Sequence, residues 1–256
     1  MTRHDPDARV LAFDLDGTLA ESKSAITPRM AGLLDRLMDE VQVCVISGGA
    51  FPQFQAQVLD HLDATAEQLA RLNLMPTNGT RYYLYRDGEW REIYAEDLPE
   101  ATKRKVIDVL TEGARTLGLW EEHTWGDIIE DRGSQITFSA LGQQAPVAAK
   151  TAWDPDGAKK ERLRAWAAER LPDLEVRSGG STSVDVTAEG IDKAYGMRKL
   201  MTELDVEKAD ILFVGDRLDP QGNDHPVQAM GIRSVPVKSW QDTADFVEGW
   251  LASGQP

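Results

Sequence analysis

An α/β protein, built on a parallel sheet and interrupted by a second, α+β domain, is the fold this sequence predicts, on three observations. First, "VLAF" (10–13), "VQVCVI" (41–46) and "ILFV" (211–214) are nearly continuous apolar runs, the pattern of strands buried on both faces of a parallel sheet. Second, "RMAGLLDRLMDE" between the first two runs has apolar residues at helical spacing, which makes a βαβ unit with a right-handed crossover. Third, the style changes near residue 80 to alternating, antiparallel patterns and reverts near residue 190.

The elements follow in order. Thr27 and Pro28 read as the N-cap and first position of the first helix. "SGG" ends the second strand. "RYYLYRDGEWREIY" reads as a hairpin turning at Asp87-Gly88, and as the start of a different sheet. "EATKRKVIDVLTEGARTLG" predicts a helix, "DIIEDRGSQITFSALG" two strands, "PDGAKKERLRAWAAERL" a helix and "LEVRSGGSTSVDVTAE" a strand pair. The helix "KAYGMRKLMTEL", the strand "ILFVGD", a short strand "GIRSVPV" and the helix "TADFVEGWL" then complete the first domain. The expected division is 1–82 and 189–256 for the interrupted domain and 83–188 for the insertion, with linkers near Gly79 and Gly190 about which the insertion would close.

Composition excludes several classes. The chain has 256 residues, 41% of them hydrophobic, enough for two packed cores. A formal net charge of −15 argues against broad adhesion to nucleic acid or anionic lipid, so an anionic substrate must be met by local cations. The single cysteine, Cys44, lies inside an apolar run and supports neither a disulfide framework nor a thiolate metal site. No stretch approaches the ~20 apolar residues of a membrane span, and "MTRHDPDARV" has no apolar leader core. A cytoplasmic protein is therefore expected. Neither G-x-G-x-x-G nor G-x-x-x-x-G-K-[ST] occurs.

Ligands of open parallel sheets sit beyond the carboxyl ends of the strands. There the first strand presents Asp14 and Asp16, which as i and i+2 would leave its end on one side, about 6–7 Å apart. The second presents Ser47 with Gly48 and Gly49, Lys193 opens the helix after the insertion, and "GDRLDPQGND" supplies Asp216, Asp219, Asn223 and Asp224. Carboxylates, a hydroxyl with free backbone N–H groups and one lysine suit phosphoryl transfer, with a hard divalent cation on oxygen ligands. Asp14 is the expected nucleophile and Asp16 the proton donor and acceptor. A calcium loop is excluded, because the D-x-D-x-D-G spacing and its terminal glutamate are missing. His123, between Trp120 and Trp125, is given no role.

The order of "DLDGT", "VISGG", "DK" and "GDRLDPQGND" around an insertion resembles the haloacid dehalogenase superfamily of phosphatases and phosphomutases. The resemblance implies a Rossmann-like parallel-sheet core with an inserted α+β cap of the C2 type, subtype B. More narrowly, "GGSTSVDV", "GIDKAYG" and "GDRLDPQGNDH" resemble the eukaryote-type phosphomannomutases. By that pattern Mg²⁺ would be held by Asp14, the backbone carbonyl of Asp16 and Asp216, supported by Asn223 and Asp224. Three arginines of the family's cap hold a distal phosphate. Here Arg132 matches the first, Gln143 stands at the second and Lys150 at the third, while Ser183 and Asp185 match a serine–aspartate pair.

An amide in place of a guanidinium removes a charge and a bidentate fork, a change of about 1–3 kcal/mol in phosphate binding. The first expectation is therefore a Mg²⁺-dependent sugar-phosphate phosphatase working through an aspartyl phosphate. A phosphomannomutase interconverting mannose 1- and 6-phosphates through a bisphosphate is the alternative. A non-catalytic sugar-phosphate sensor stands behind both. The expected partner is a small sugar phosphate, with no nucleic acid and no membrane, and the resemblance leaves a homodimer through the cap open.

Overall fold

The computed structural model describes residues 8–253. The leader-free start read from residues 1–10 thus falls mostly outside the described residues. The first half of the chain forms β1 (Val10–Phe13), α1 (Pro28–Glu40), β2 (Gln42–Ile46), α2 (Phe51–Gln57), α3 (Ala66–Leu69) and β3 (Leu72–Met75). The hairpin β4 (Arg81–Arg86) and β5 (Glu89–Ala95) and the helix α4 (Glu100–Thr116) follow. Then come β6 (Ile129–Asp131), β7 (Gln135–Ser139), α5 (Val147–Trp153), α6 (Ala158–Arg170), β8 (Leu174–Ser178) and β9 (Ser183–Ala188). The chain closes with α7 (Lys193–Leu204), β10 (Ile211–Gly215), α8 (His225–Ala229), β11 (Arg233–Pro236) and α9 (Trp240–Ser253).

Two compact units divide the chain: one takes the residues up to Ala95 and from Asp192 onward, the other Glu96–Ile191. The first carries a seven-stranded sheet in the order β11-β10-β1-β2-β3-β4-β5, parallel from β11 to β3. β1 is fully buried because successive residues feed two cores. Leu11 and Phe13 pack with the apolar stripe of α1 and with α9, whereas Val10 and Ala12 pack with Met197 and Leu200 of α7. α1 starts as expected, with Thr27 accepting from the Met30 N–H and Pro28 opening the helix.

The hairpin corrects one expectation. It turns at Asp87-Gly88, both at positive φ, but it begins no new sheet: β4 pairs antiparallel with β3 and extends the first one. The tight turn Thr77–Gly79 reverses the chain beside the free edge of β3, and the Tyr82 hydroxyl donates to the buried Asn73 Oδ1 at 2.6 Å. The pattern changes at residue 80 because the pairing turns antiparallel at the sheet's end, where one face meets water. Residues 83–95, expected in the insertion, therefore belong with the parallel sheet.

The second unit is a four-stranded antiparallel sheet, β6-β7-β9-β8. Ile136, Phe138, Val184 and Val186 of its central strands pack with Val106 and Leu110 of α4 and Leu163 and Ala167 of α6. The short helices α2 and α5 were not legible as periodic segments. Among the described residues no helix is long and apolar enough to cross a membrane.

Candidate active site

The carboxyl edge of the parallel sheet gathers the charged groups. Asp14 extends β1 by one residue, its N–H donating to Val214 O at 3.0 Å, so it stands beside the end of β10 and the loop carrying Asp216. Lys193 is the first residue of α7, behind an Asp192 cap that accepts from the Tyr195 N–H. Its buried ammonium donates to Asp14 Oδ1, and to Asp224 Oδ1 at 2.5 Å. Thr18 Oγ1 donates to Asp14 Oδ2 at 3.3 Å, and the Arg217 N–H to Asp224 Oδ2 at 2.9 Å. Gly17 makes this packing possible: its φ is +90°, and a Cβ there would lie 2.6 Å from Asp216 Oδ2.

One oxygen from each of Asp14, Asp216 and Asp224 lies within 4.8 Å of the others. Three carboxylates face one lysine. Burial pushes the Asp14 carboxyl up to about 7, Lys193 pulling it down and Asp224 and Asp216 adding to the rise. Burial and then Asp224 likewise raise Asp216. Burial alone would lower Lys193, but Asp14 and Asp224 outweigh it and hold the ammonium above the usual lysine range. With all three carboxylates ionised, the local charge is −2. Hard oxygen donors carrying that surplus fit one divalent cation such as Mg²⁺, which would also keep Asp14 ionised.

Ser47, Gly48 and Gly49 follow β2, the strand next to β1. The Gly49 N–H donates to Ser47 Oγ at 3.2 Å, and the Thr77 and Asn78 N–H groups donate to the Gly49 and Ser47 carbonyls at 2.9 Å. Thr77, Asn78 and Gly79 all have positive φ, a costly run that braces this loop. Asp16 keeps different company from Asp14. Its carboxylate accepts from the Lys23 N–H and from the side-chain amides of Gln53 and Gln57. Burial would raise its pKa, but Lys23 and the two amides bring it below the usual carboxylate value. Asn223 is exposed on the β10–α8 loop, and Asp219 pairs with Arg217 on the same loop.

The expected cap residues lie in the second unit. Ser183 and Asp185 share one face of β9, opposite Ser139 and Thr137 of β7, and Thr137 Oγ1 donates to Asp185 at 2.7 Å. Arg132, on the β6–β7 turn, donates to Glu130 at 2.8 Å. Lys150 of α5 donates to the Gln143 carbonyl at 2.9 Å. Residue-level reasoning singled out neither Lys23, Gln53 and Gln57 nor Asn78. For the two glutamines a signal existed: they sit four residues apart, right after "SGG", hence on one face of any helix starting there.

A family model described as haloacid dehalogenase-like hydrolase matches residues 11–224. A probable phosphomannomutase of Caenorhabditis elegans is 26% identical over 264 residues, covering 98% of each chain. Phosphomannomutase 1 of Homo sapiens is 28% identical over 229 residues, covering 86% of this chain and 84% of its own. Among solved structures, a haloacid dehalogenase-like hydrolase from Bacteroides thetaiotaomicron superposes with a TM-score of 0.62 at 18% identity, over 94% of this chain and 99% of its own.

Proposed function

Because this chain belongs to the haloacid dehalogenase-like hydrolase family, and is therefore an enzyme of phosphatase or mutase type, we propose that it is a phosphomannomutase working through an aspartyl phosphate on Asp14. The observation that carries this choice over a plain phosphatase is similarity to a probable phosphomannomutase along 98% of both chains. Gln143 taken alone favours the phosphatase. One amide at one cap position weighs less than resemblance from end to end.

In the proposed reaction Asp14 Oδ attacks the phosphorus of a sugar bisphosphate, and the P–O bond to the sugar breaks. Asp16 delivers a proton to the departing sugar oxygen. The free hydroxyl of a mannose monophosphate in the site then attacks the aspartyl phosphate, giving its proton to Asp16 as the Asp14–phosphorus bond breaks, so that the carboxylate returns and a bisphosphate forms again. Lys193 offsets charge on Asp14, while Ser47 and the N–H groups at Gly48 and Gly49 receive phosphoryl oxygens. Asp14, Asp216 and the backbone carbonyl of Asp16 would hold Mg²⁺, supported by Asp224 and Asn223. The ion's contribution is to neutralise charge on the transferring group. Arg132, Gln143 and Lys150 are assigned to the distal phosphate, and Ser183 and Asp185 to the sugar.

The test follows mannose 1-phosphate with Mg²⁺ by phosphorus NMR, with and without glucose 1,6-bisphosphate. Mannose 6-phosphate that forms only with the bisphosphate is the expected product. Inorganic phosphate as the main product would return the phosphatase reading, and no reaction at all would sink both.

A further inference from the structure

Asp16 is the proton carrier of that reaction, and the first unit holds its carboxylate with more care than packing requires. Gln53 Nε2 donates to Oδ2 at 3.0 Å and Gln57 Nε2 to Oδ1 at 3.1 Å, while the Lys23 N–H donates to Oδ1 at 2.7 Å. Gln53 and Gln57 are one turn apart on α2, so a single helix face presents both amides. Gln57 also donates to Ser24 O at 2.7 Å. Both its neighbours are acceptors, which fixes the NH₂ group toward Asp16.

That aim has a cost. Gln57 is 4% exposed, and its Oε1 has no hydrogen-bond partner, an arrangement that a residue kept for stability alone would avoid. Gln53 is anchored as well: the Lys23 ammonium donates to its Oε1 at 2.7 Å. A Cβ at Gly49 would lie 2.2 Å from that oxygen, so the glycine of the phosphate loop is also what lets Gln53 lie across it. The Asp16 side chain keeps 24% exposure, leaving an edge open to a reacting hydroxyl.

We propose that Gln53 and Gln57 are positioning residues that aim the Asp16 carboxylate for proton transfer at the sugar oxygen, an inference that rests on the phosphoryl-transfer function above. They act through Asp16 and touch neither phosphorus nor its oxygens. Neutral amides suit this task, because they orient the carboxylate while adding no positive charge to that of the Lys23 ammonium, which already lies 3.4 Å from Oδ2.

The test compares the full chain with Q53M and Q57M in two reactions. One is the burst of p-nitrophenolate from p-nitrophenyl phosphate, a leaving group that needs no proton. The other is steady-state turnover of mannose 1-phosphate with glucose 1,6-bisphosphate, which needs proton transfer at alcohol oxygens. Each variant is expected to lose on the order of 10-fold in kcat on the sugar, with KM and the burst rate within about 3-fold of wild type. In an Asp16→Asn background the same substitutions should cause no further loss, since the residue they act through is gone. Equal losses in both reactions, additive losses on Asp16→Asn, or unchanged kcat would overturn the proposal. Should Q57M fail to fold, Q53M at its half-buried position decides alone. A wild type without burst or turnover, or an Asp14→Asn variant that keeps them, would instead overturn the reaction beneath and this role with it.

Discussion

Lys193 donates its ammonium to Asp14, a residue 179 positions earlier in the chain, and in the same geometry to Asp224. The nucleophile candidate, the residue that opens α7 and the loop after β10 thereby become one electrostatic unit. One positive charge holds two fully enclosed carboxylates, with Asp216 as a third negative group beside them.

That imbalance predicts a pH dependence that a metal ion should remove. In chelator, Asp14 keeps its proton up to about 7 in the folded chain, against 3.8 for the free group. A raised folded-state value stabilises the protein fully below the unfolded value and is lost as pH rises toward the folded one. Melting temperature in EDTA should therefore fall between about pH 4 and pH 7, and Asp14→Asn should flatten that slope. Saturating Mg²⁺ should flatten it too. Identical profiles in EDTA and Mg²⁺ would show that no divalent ion meets these carboxylates.

Replacing Lys193 by Met keeps the volume and removes the cation that pairs with both Asp14 and Asp224. Breaking a buried ion pair from one side costs about 3–5 kcal/mol, so the urea midpoint at pH 7 should drop sharply in chelator. Restoring much of the loss at pH 5, where the buried Asp14 carboxyl holds its proton, would identify charge and not packing as the cause. A midpoint within error of wild type would contradict the buried ion pair.

Gly17→Ala should harm both folding and the cation site. The residue has φ +90°, and its new methyl would meet Asp216 Oδ2. We expect a loss of about 1–3 kcal/mol in stability from the strained backbone, together with weaker Mg²⁺ binding by calorimetry. Unaltered Mg²⁺ affinity in a folded variant would argue that Asp216 is not a ligand.

Cys44 lies between β1 and β3 in the sheet with no exposure, and burial pushes its thiol well above the usual range. Ellman's reagent should leave the native chain unlabelled and react with one thiol per chain in guanidinium. Rapid labelling of the native protein would mean that the sheet opens locally.

Much of the fold was legible because its signals are short-ranged. The nearly continuous apolar runs at 10–13, 41–46 and 211–214 read as doubly buried strands, and Thr27-Pro28 and Asp192-Lys193 announced their helices through local capping chemistry. The hairpin was legible as a hairpin, but its sheet was not: which edge β4 joins is decided by the reversal at Thr77–Gly79 and by the Tyr82–Asn73 contact, neither of which leaves a periodicity.

By itself, then, the sequence determined which groups stand at the carboxyl edge of the sheet: Asp14, Ser47, Lys193, Asp216 and Asp224 each follow directly from a strand end or helix start. Only the tertiary structure decided how they divide. Asp14 and Asp16 are two residues apart in sequence, yet one carboxylate is enclosed with Lys193, Asp216 and Asp224, while the other is caged by Lys23, Gln53 and Gln57. The strand ends at Phe13 and the chain turns at Leu15, whose carbonyl accepts from the Thr18, Leu19 and Ala20 N–H groups, so the alternation that would have kept the two side chains together no longer applies. Burial and hydrogen-bond partners, which set the charge of each carboxylate, exist only once distant segments have packed.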